Sequence, residues 1–386
     1  MKMITEYESG EYGISELAEL YGVSRKTVYK WIERFEGLGW EGLKDMSRAP
    51  HQHPNAIGTD IQRQLIELKA RKPLWGAPKL RHKLLGQLGP ERCPAESTVS
   101  EILRRHGLSA RRRRGGGRAV PSQQPLAHCQ QANEVWCADF KGWFRTGNGK
   151  KCLPLTISDA HSRYLLCCRG LSQATGHVSV KPLFIETFRQ NGLPGAIRTD
   201  NGPPFASLGL GGLSPLAVWW VRLGIGLERI EPGAPQQNGR HERMHRTLKE
   251  ATAQPPARHL AAQQELFDQF RQEYNEERPH EALGQQTPAS VYGPSAREYP
   301  ERLPEQRGYP EDWQKRRVRH NGEIKWAGGR LYLSEALVSQ EIGLEPISEA
   351  RWAVHFETLL LGTIDDRKGR VIKKCTHLST CSPEKK

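Results

Sequence analysis

The chain has no apolar run approaching the roughly 18 residues that a membrane-spanning helix needs, so a helical membrane protein is not among the readings it supports. Its first residues, MKMITEYESGEYG, lack the basic-then-apolar layout of a secretory signal. The eight cysteines include no C-x-x-C pair and no histidines at a companion spacing. That argues against a zinc knuckle and for reduced, mostly buried thiols. Acid is in short supply: 43 Asp and Glu against 57 Lys and Arg leave a net charge of +14 and a pI near 9.5. Such an excess seeks an anionic partner, and nucleic acid is the usual one. The expectation is a soluble, cytoplasmic protein that seeks DNA or RNA.

At 386 residues the chain is too long for one ordinary domain. Residues 14–35, ISELAELYGVSRKTVYKWIERF, carry apolar residues at helical spacing, broken once at Gly22. Ser24 is a good N-cap, and Val28, Trp31, Ile32 and Phe35 form one face behind it. Two helices around a glycine-containing turn describe a helix-turn-helix, within a first domain at 1–50. The apolar positions are committed to packing, which leaves Arg25, Lys26, Thr27 and Lys30 to reach a major groove. An ordinary helical hairpin is the plainer alternative, and the basic first turn favours DNA binding. A second helical unit at 56–108 (IQRQLIELKA, WGAPKLRHKLL, PAESTVSEILRRHGL) reads as a further DNA-binding module or a helical spacer.

Residues 109–134 hold four consecutive arginines, Arg111, Arg112, Arg113 and Arg114, and three glycines that cannot pack a core. The stretch reads as a cationic tether that can lie along DNA backbone or in a minor groove. From Val135 the composition turns to strands: VWCADFKGWF, KCLPLTISDAHSRYLLCCRG and GAIRTD, with helical patterns at 176–191 and 214–223. A short strand, GLERIE, and a basic helix from about Asn238 complete a mixed α/β domain over 135–295. A proline-rich connection leads to β-rich residues 313–373, where HNGEIKW offers an Asn-Gly hairpin turn, and a small β-barrel is expected.

Three acids stand out by context. Asp139 lies inside the first strand, where a carboxylate is costly to bury unless paired or metal-bound, and no single basic residue is its obvious partner in the sequence. Asp200 ends a later strand in RTDNGPPF, at the carboxyl edge where α/β sheets present ligand sites, and the Asn-Gly-Pro-Pro after it forces a turn. Glu242 sits early in the basic helix, with Arg246 and Lys249 at +4 and +7 on the same face. That stripe alone would be an ordinary surface salt-bridge pattern. Three carboxylates together suit a hard divalent ion such as Mg²⁺. Asp159, in ISDAHSR, reads as a structural turn acid.

The stretches WCADFKGWF, LTISDAHSRYLL, RTDNGPPFAS, PQQNGRHERMHRTLK and YNEERPHEALGQQTPASVY, in this order, resemble the integrase core of DDE transposases and retroviral integrases. They are most similar to the insertion-sequence branch called IS481-like, related to IS3. The resemblance implies an RNase H-like core, with Asp139, Asp200 and Glu242 as catalytic and metal-binding triad. It implies two Mg²⁺ ions, with Mn²⁺ able to substitute, and roughly 3.5–4 Å between the ions of such a pair. It implies a bacterial protein that meets the nucleoid when bound to DNA, acts as a homo-oligomer on terminal repeats and target DNA, and needs no protein nucleophile. Residues Arg246 and Lys249 would then grip phosphates beside the reacting bond. Two departures stand out. Between Asp200 and Glu242 lie 41 residues (242 − 200 − 1), more than in retroviral integrases, and ASLGLGGLSP is the natural place for the extra ones. The His/Cys zinc module of retroviral integrases is absent from the sequence, and the helix-turn-helix takes its place. Two rivals remain: a DNA-binding regulator with a silent integrase-like core, and a structure-selective nuclease. Metal dependence separates the regulator from both enzymes, and joining of a cut end to new DNA separates the transposase from the nuclease.

Overall fold

The computed structural model describes residues 2–45, 57–109, 129–172, 176–231, 239–367 and 370–373. They fall into two units, 1–59 and 60–386. In the first, α1 (Lys2–Glu8), α2 (Ile14–Leu20) and α3 (Arg25–Leu38) bury Ile4, Leu17, Ala18, Val28 and Ile32 in one small core. Ser24 caps α3, its hydroxyl accepting from the Thr27 amide at 3.2 Å. The helix α1 carries no expectation from the sequence, because seven residues with one buried apolar position show no period. The Tyr21 hydroxyl donates to Glu6 at 2.7 Å and ties α1 to the turn.

The second unit opens with α4 (Thr59–Arg71), α5 (Ala77–Leu88) and α6 (Glu96–Arg105), which bury Leu65, Leu80, Leu84 and Val99 completely. A six-stranded sheet follows, from β1 (Val135–Phe140), β2 (Phe144–Arg145), β3 (Lys151–Asp159) and β4 (Leu165–Leu171). After α7 (His177–Asn191) come β5 (Ala196–Thr199), α8 (Pro215–Arg222) and β6 (Gly226–Arg229). The order is β4-β3-β1-β5-β6, with β2 on the start of β3. Strand β1 is central, antiparallel to β3 and parallel to β5. Helices α9 (Gly239–Thr252) and α10 (Leu260–Gln272) pack on one face and α7 and α8 on the other. Adjacent residues of β4 show the period of two: Cys167 joins the α7 and α8 side, Cys168 the α9 and α10 side. The six described cysteines are free thiols, as expected. Among the described residues no helix is long and apolar enough to cross a membrane.

A short α11 (Pro288–Val291) leads to the C-terminal strands β7 (Gln314–Arg317), β8 (Glu323–Trp326), β9 (Gly329–Tyr332), β10 (Glu341–Ser348), β11 (Arg351–Phe356), β12 (Leu359–Asp365) and β13 (Arg370–Lys373). The expected barrel is corrected here. The strands form an open antiparallel sheet, β13-β12-β11-β10-β7, and a separate β8-β9 hairpin. Closure demands tilted strands in staggered register all the way round, and the two edge strands are only four residues long. The apolar face is covered from outside instead: Ile342, Leu344, Val354, Phe356 and Leu361 belong to the same buried cluster as Leu210 and Leu213 of the α/β domain. The expected Asn-Gly turn is present between β7 and β8, where the Gly322 amide donates to the Arg319 carbonyl at 2.9 Å and the Arg319 amide to the Glu323 carbonyl at 2.8 Å, although β7 itself pairs with β10. The β8-β9 turn is Ala327-Gly328, both at positive φ, as a two-residue hairpin requires.

Candidate active site

Strand β1 buries Val135 to Ala138 and emerges from the core at Asp139, which is in register with Thr156 on β3. Parallel pairing of β1 with β5 sets Cys137 opposite Arg198. Two residues further along both strands, Asp139 and Asp200 stand at matching positions at the strands' carboxyl ends. Burial raises the Asp139 carboxyl to about 7, the Asp200 charge pushes the same way, and Glu242 adds a smaller push. The Phe140 backbone amide and Lys141 pull it back. Asp139 therefore feels both of the other acids through space.

Asp200 is exposed, and its Oδ1 accepts from the Gly202 amide at 3.2 Å, the turn chemistry expected of RTDNG. Arg229 on β6 braces this turn. Its guanidinium donates to the Thr199 hydroxyl at 2.8 Å, the Asp200 carbonyl at 3.2 Å and the Phe205 carbonyl at 2.6 Å. Burial lowers Arg229 to about 10. Sequence reasoning passed over it, although an arginine inside GLERI was a visible signal.

Glu242 lies exposed on α9, as do Arg246 and Lys249, while His241, Met244, His245 and Leu248 make the buried face. The Thr156 hydroxyl lies 2.7 Å from His241 Nε2 and 2.6 Å from His245 Nε2, and it donates to the Asp139 carbonyl at 3.2 Å. Ser158 Oγ lies 3.0 Å from His241 Nδ1. Burial pulls His241 down to about 3; burial, then His241, then Lys141 pull His245 down to about 2. Both rings are neutral at physiological pH. They fasten α9 to the strand paired with Asp139 and so fix where Glu242 stands. The i, i+4 spacing in RHERMH was the signal for this pair.

Two donor sets compete for a cation. Ligand atoms of Asp139, His241 and His245 lie within 4.8 Å of one another. Both nitrogens of His241 are engaged by hydroxyls, and His245 Nδ1 is 3.9 Å from Asp139 Oδ2. A neutral imidazole has one lone pair to give, so ligation through His241 would break bonds already made. The second set is the carboxylates of Asp139, Asp200 and Glu242, of which only Asp139 lies in that close group. The charges of Asp200 and Glu242 reach it through space, and oxygen donors are what a hard cation prefers.

Elsewhere, Arg25, Lys26 and Lys30 are exposed on α3. The Thr27 hydroxyl is 2.9 Å from Ser24 Oγ and serves the cap. Tyr29, which sequence reasoning missed, is exposed between them. Residues Arg111 to Arg114 lie outside the described residues. Asp159 is buried and accepts from the Ser162 amide and hydroxyl at 2.7 and 2.6 Å and from the Asn133 amide at 2.8 Å, a structural acid as expected.

An integrase core domain model matches residues 223–288, a span that includes Glu242. A homeodomain-like model matches 27–103 and a helix-turn-helix model 1–51. The chain is 28% identical over 245 residues to the insertion element IS407 uncharacterized 31.7 kDa protein of Burkholderia multivorans, covering 62% of this chain and 82% of that one. It is 28% identical over 254 residues to the insertion element IS476 uncharacterized 39.2 kDa protein of Xanthomonas euvesicatoria, covering 64% and 69%. Among solved structures, the HTLV-2 integrase catalytic core domain in complex with magnesium is similar at a TM-score of 0.34 and 15% identity, over 42% of this chain and 99% of that one.

Proposed function

We propose that this chain, an insertion-element transposase with an integrase core, cuts and joins DNA at Asp139, Asp200 and Glu242. The observation that carries the assignment is the parallel register of β1 and β5, which aligns Asp139 with Asp200. Helix α9 is fastened to the neighbouring strand through Thr156. We further take the core as RNase H-like, the branch as IS481-like, and the working form as an oligomer that holds two DNA ends. The three carboxylates would hold Mg²⁺, or Mn²⁺ in its place, most simply as a pair of ions. Bound there, divalent cations stabilise charge on the attacking and leaving oxygens of a phosphodiester.

The chain's own residues do the rest. Asp139 gives up its proton near neutrality, so its carboxyl is about half ionised at pH 7, and a bound cation would draw it into the anionic form. Neutral His241 and His245 hold α9 without adding positive charge beside the acids. On the stripe of Glu242, Arg246 and Lys249 face phosphates flanking the reacting bond. Water attacks a phosphodiester at the element's end and frees a 3′-hydroxyl, which then attacks a phosphodiester of the target DNA in line, its new bond to phosphorus replacing the one to the target strand's 3′-oxygen, which leaves as a hydroxyl. The α3 surface of Arg25, Lys26 and Lys30 selects the terminal repeats.

The test uses purified protein and labelled DNA spanning the gene's own flanks, with Mg²⁺ or with a chelator. Nicking followed by joining, both abolished by the chelator, is the expected result. Nicking without joining would favour the nuclease, and tight metal-independent binding without any cleavage would favour the regulator.

A further inference from the structure

Strand β1 leaves the site through Phe140-Lys141-Gly142-Trp143 and enters the β2-β3 hairpin. The run from 140 to 151, FKGWFRTGNGKK, holds four cations and no acid. Trp143 is 57% exposed, the largest ring left open in this part of the chain. Lys151 Nζ lies 4.8 Å and Arg145 Cζ 5.8 Å from its ring centroid. Its neighbour Phe144 turns the other way and packs on the cluster of Met244, Leu248 and Phe267. The hairpin tip is pinned as well, since the Gly147 and Asn148 amides both donate at 2.8 Å to the carbonyls of Ala257 and Arg258. The ring is thus held on a fixed platform attached to the helix that carries Glu242.

From this we infer that Trp143 is a stacking platform for an unpaired nucleobase of the DNA end, with Lys141, Arg145 and Lys151 holding the phosphates on either side of that base. The inference rests on the proposed DNA cutting and joining and adds a specific contact to it. Bases inside a duplex are already stacked, so only a frayed or single-stranded nucleotide presents a face to the indole. Base–aromatic stacking outweighs an exposed cation–π contact, so the base displaces the ammonium, which then moves to a phosphate. Four Cα–Cα steps lead from Asp139 to Trp143, so their Cα atoms are no more than about 15 Å apart. At about 3.4 Å per nucleotide step, the stacked base lies within roughly four nucleotides of the reacting phosphate.

The experiment uses the full chain in the non-cleaving Asp200→Asn background, alone and with Trp143→Ala or Trp143→Phe. The probe is flank DNA carrying 2-aminopurine at successive positions near the element's end, either paired or with a short frayed tip. Quenching at one frayed position, kept by Trp143→Phe and lost in Trp143→Ala, is expected. The Kd of Trp143→Ala for frayed DNA should be about tenfold weaker, with little change for the fully paired duplex. Equal quenching and affinity in Trp143→Ala would overturn the inference. So would loss of self-association with DNA binding intact, which would assign the ring to a second copy of the chain. Cleavage by the wild type, measured in parallel, separates failure of the platform from failure of the catalytic reading.

Discussion

Thr156 is the residue on which the site's geometry converges, because its hydroxyl meets both α9 histidines and the Asp139 carbonyl. Thr156→Val leaves two buried imidazoles short of a partner, at a cost of about 1–3 kcal/mol. The expected outcome is a lower Tm and slower nicking with unchanged DNA affinity, and recovery of both in Thr156→Ser. The same residues set a pH dependence. His241 and His245 have folded values below the unfolded value, so their contribution is present above about pH 6.5 and is lost as pH falls. Each contributes a slope of up to about 1.4 kcal/mol per pH unit. Asp139 is raised, so its contribution is present below the unfolded carboxylate value and is lost as pH rises through about 7. At pH 8 without metal, Asp139→Asn should therefore melt above the wild type, while added Mg²⁺ should stabilise only the wild type. Thermal unfolding with and without chelator checks both. Asp139 and Asp200 stand out in the sequence because one interrupts an apolar strand and the other ends a strand before a forced turn, whereas Glu242 is singled out only by the resemblance. The histidine lock was not legible, because it joins residues far apart in the chain.

Among the elements, residues 206–214 answer the unusual interval between Asp200 and Glu242. The sequence reading treats ASLGLGGLSP as an inserted loop; in the structure it is a docking segment. Leu210 is fully buried and reaches Gly362 on β12. Gly211 sits at φ +66°, where a Cβ would come within 2.7 Å of the Leu361 side chain. Leu210→Ala should cost about 2–5 kcal/mol. The expected outcome is a fall in Tm, with faster amide exchange concentrated in β11 and β12. Protection unchanged in those strands would show that the segment does not brace the sheet. Strands β1, β3 and β5 were readable because β-branched and aromatic residues lie between turn signals. The C-terminal sheet was misread as a barrel because a strand pattern specifies an apolar face but not what covers it, and here the covering residues come from another part of the chain.

Across the whole molecule, the charge of +14 makes DNA affinity a matter of salt. Each phosphate neutralised contributes about −0.9 to the slope of log K against log salt. Arg25→Ala and Lys30→Ala should each reduce the magnitude of the slope by about 1 if the residue contacts a phosphate. Where a side chain reads a base edge instead, discrimination between flank DNA and unrelated DNA should fall by about 1–3 kcal/mol. Binding measured from low to high salt distinguishes the two. Composition and motif order pointed to DNA as the partner and to a resemblance to integrase cores, in line with the integrase core domain model that matches residues 223–288. The docking of helical residues on that core was hidden, for it depends on Lys72 meeting Glu273 at 3.2 Å and Glu277 at 2.7 Å across a long sequence interval. The central claim is that the acids at the ends of β1 and β5 and on α9 perform the chemistry. Its most direct test is end cleavage and joining by the wild type beside Asp200→Asn, under Mg²⁺ and at DNA concentrations where both bind equally. Loss of both reactions in the variant with binding retained is the predicted result; joining by Asp200→Asn at the wild-type rate would contradict it.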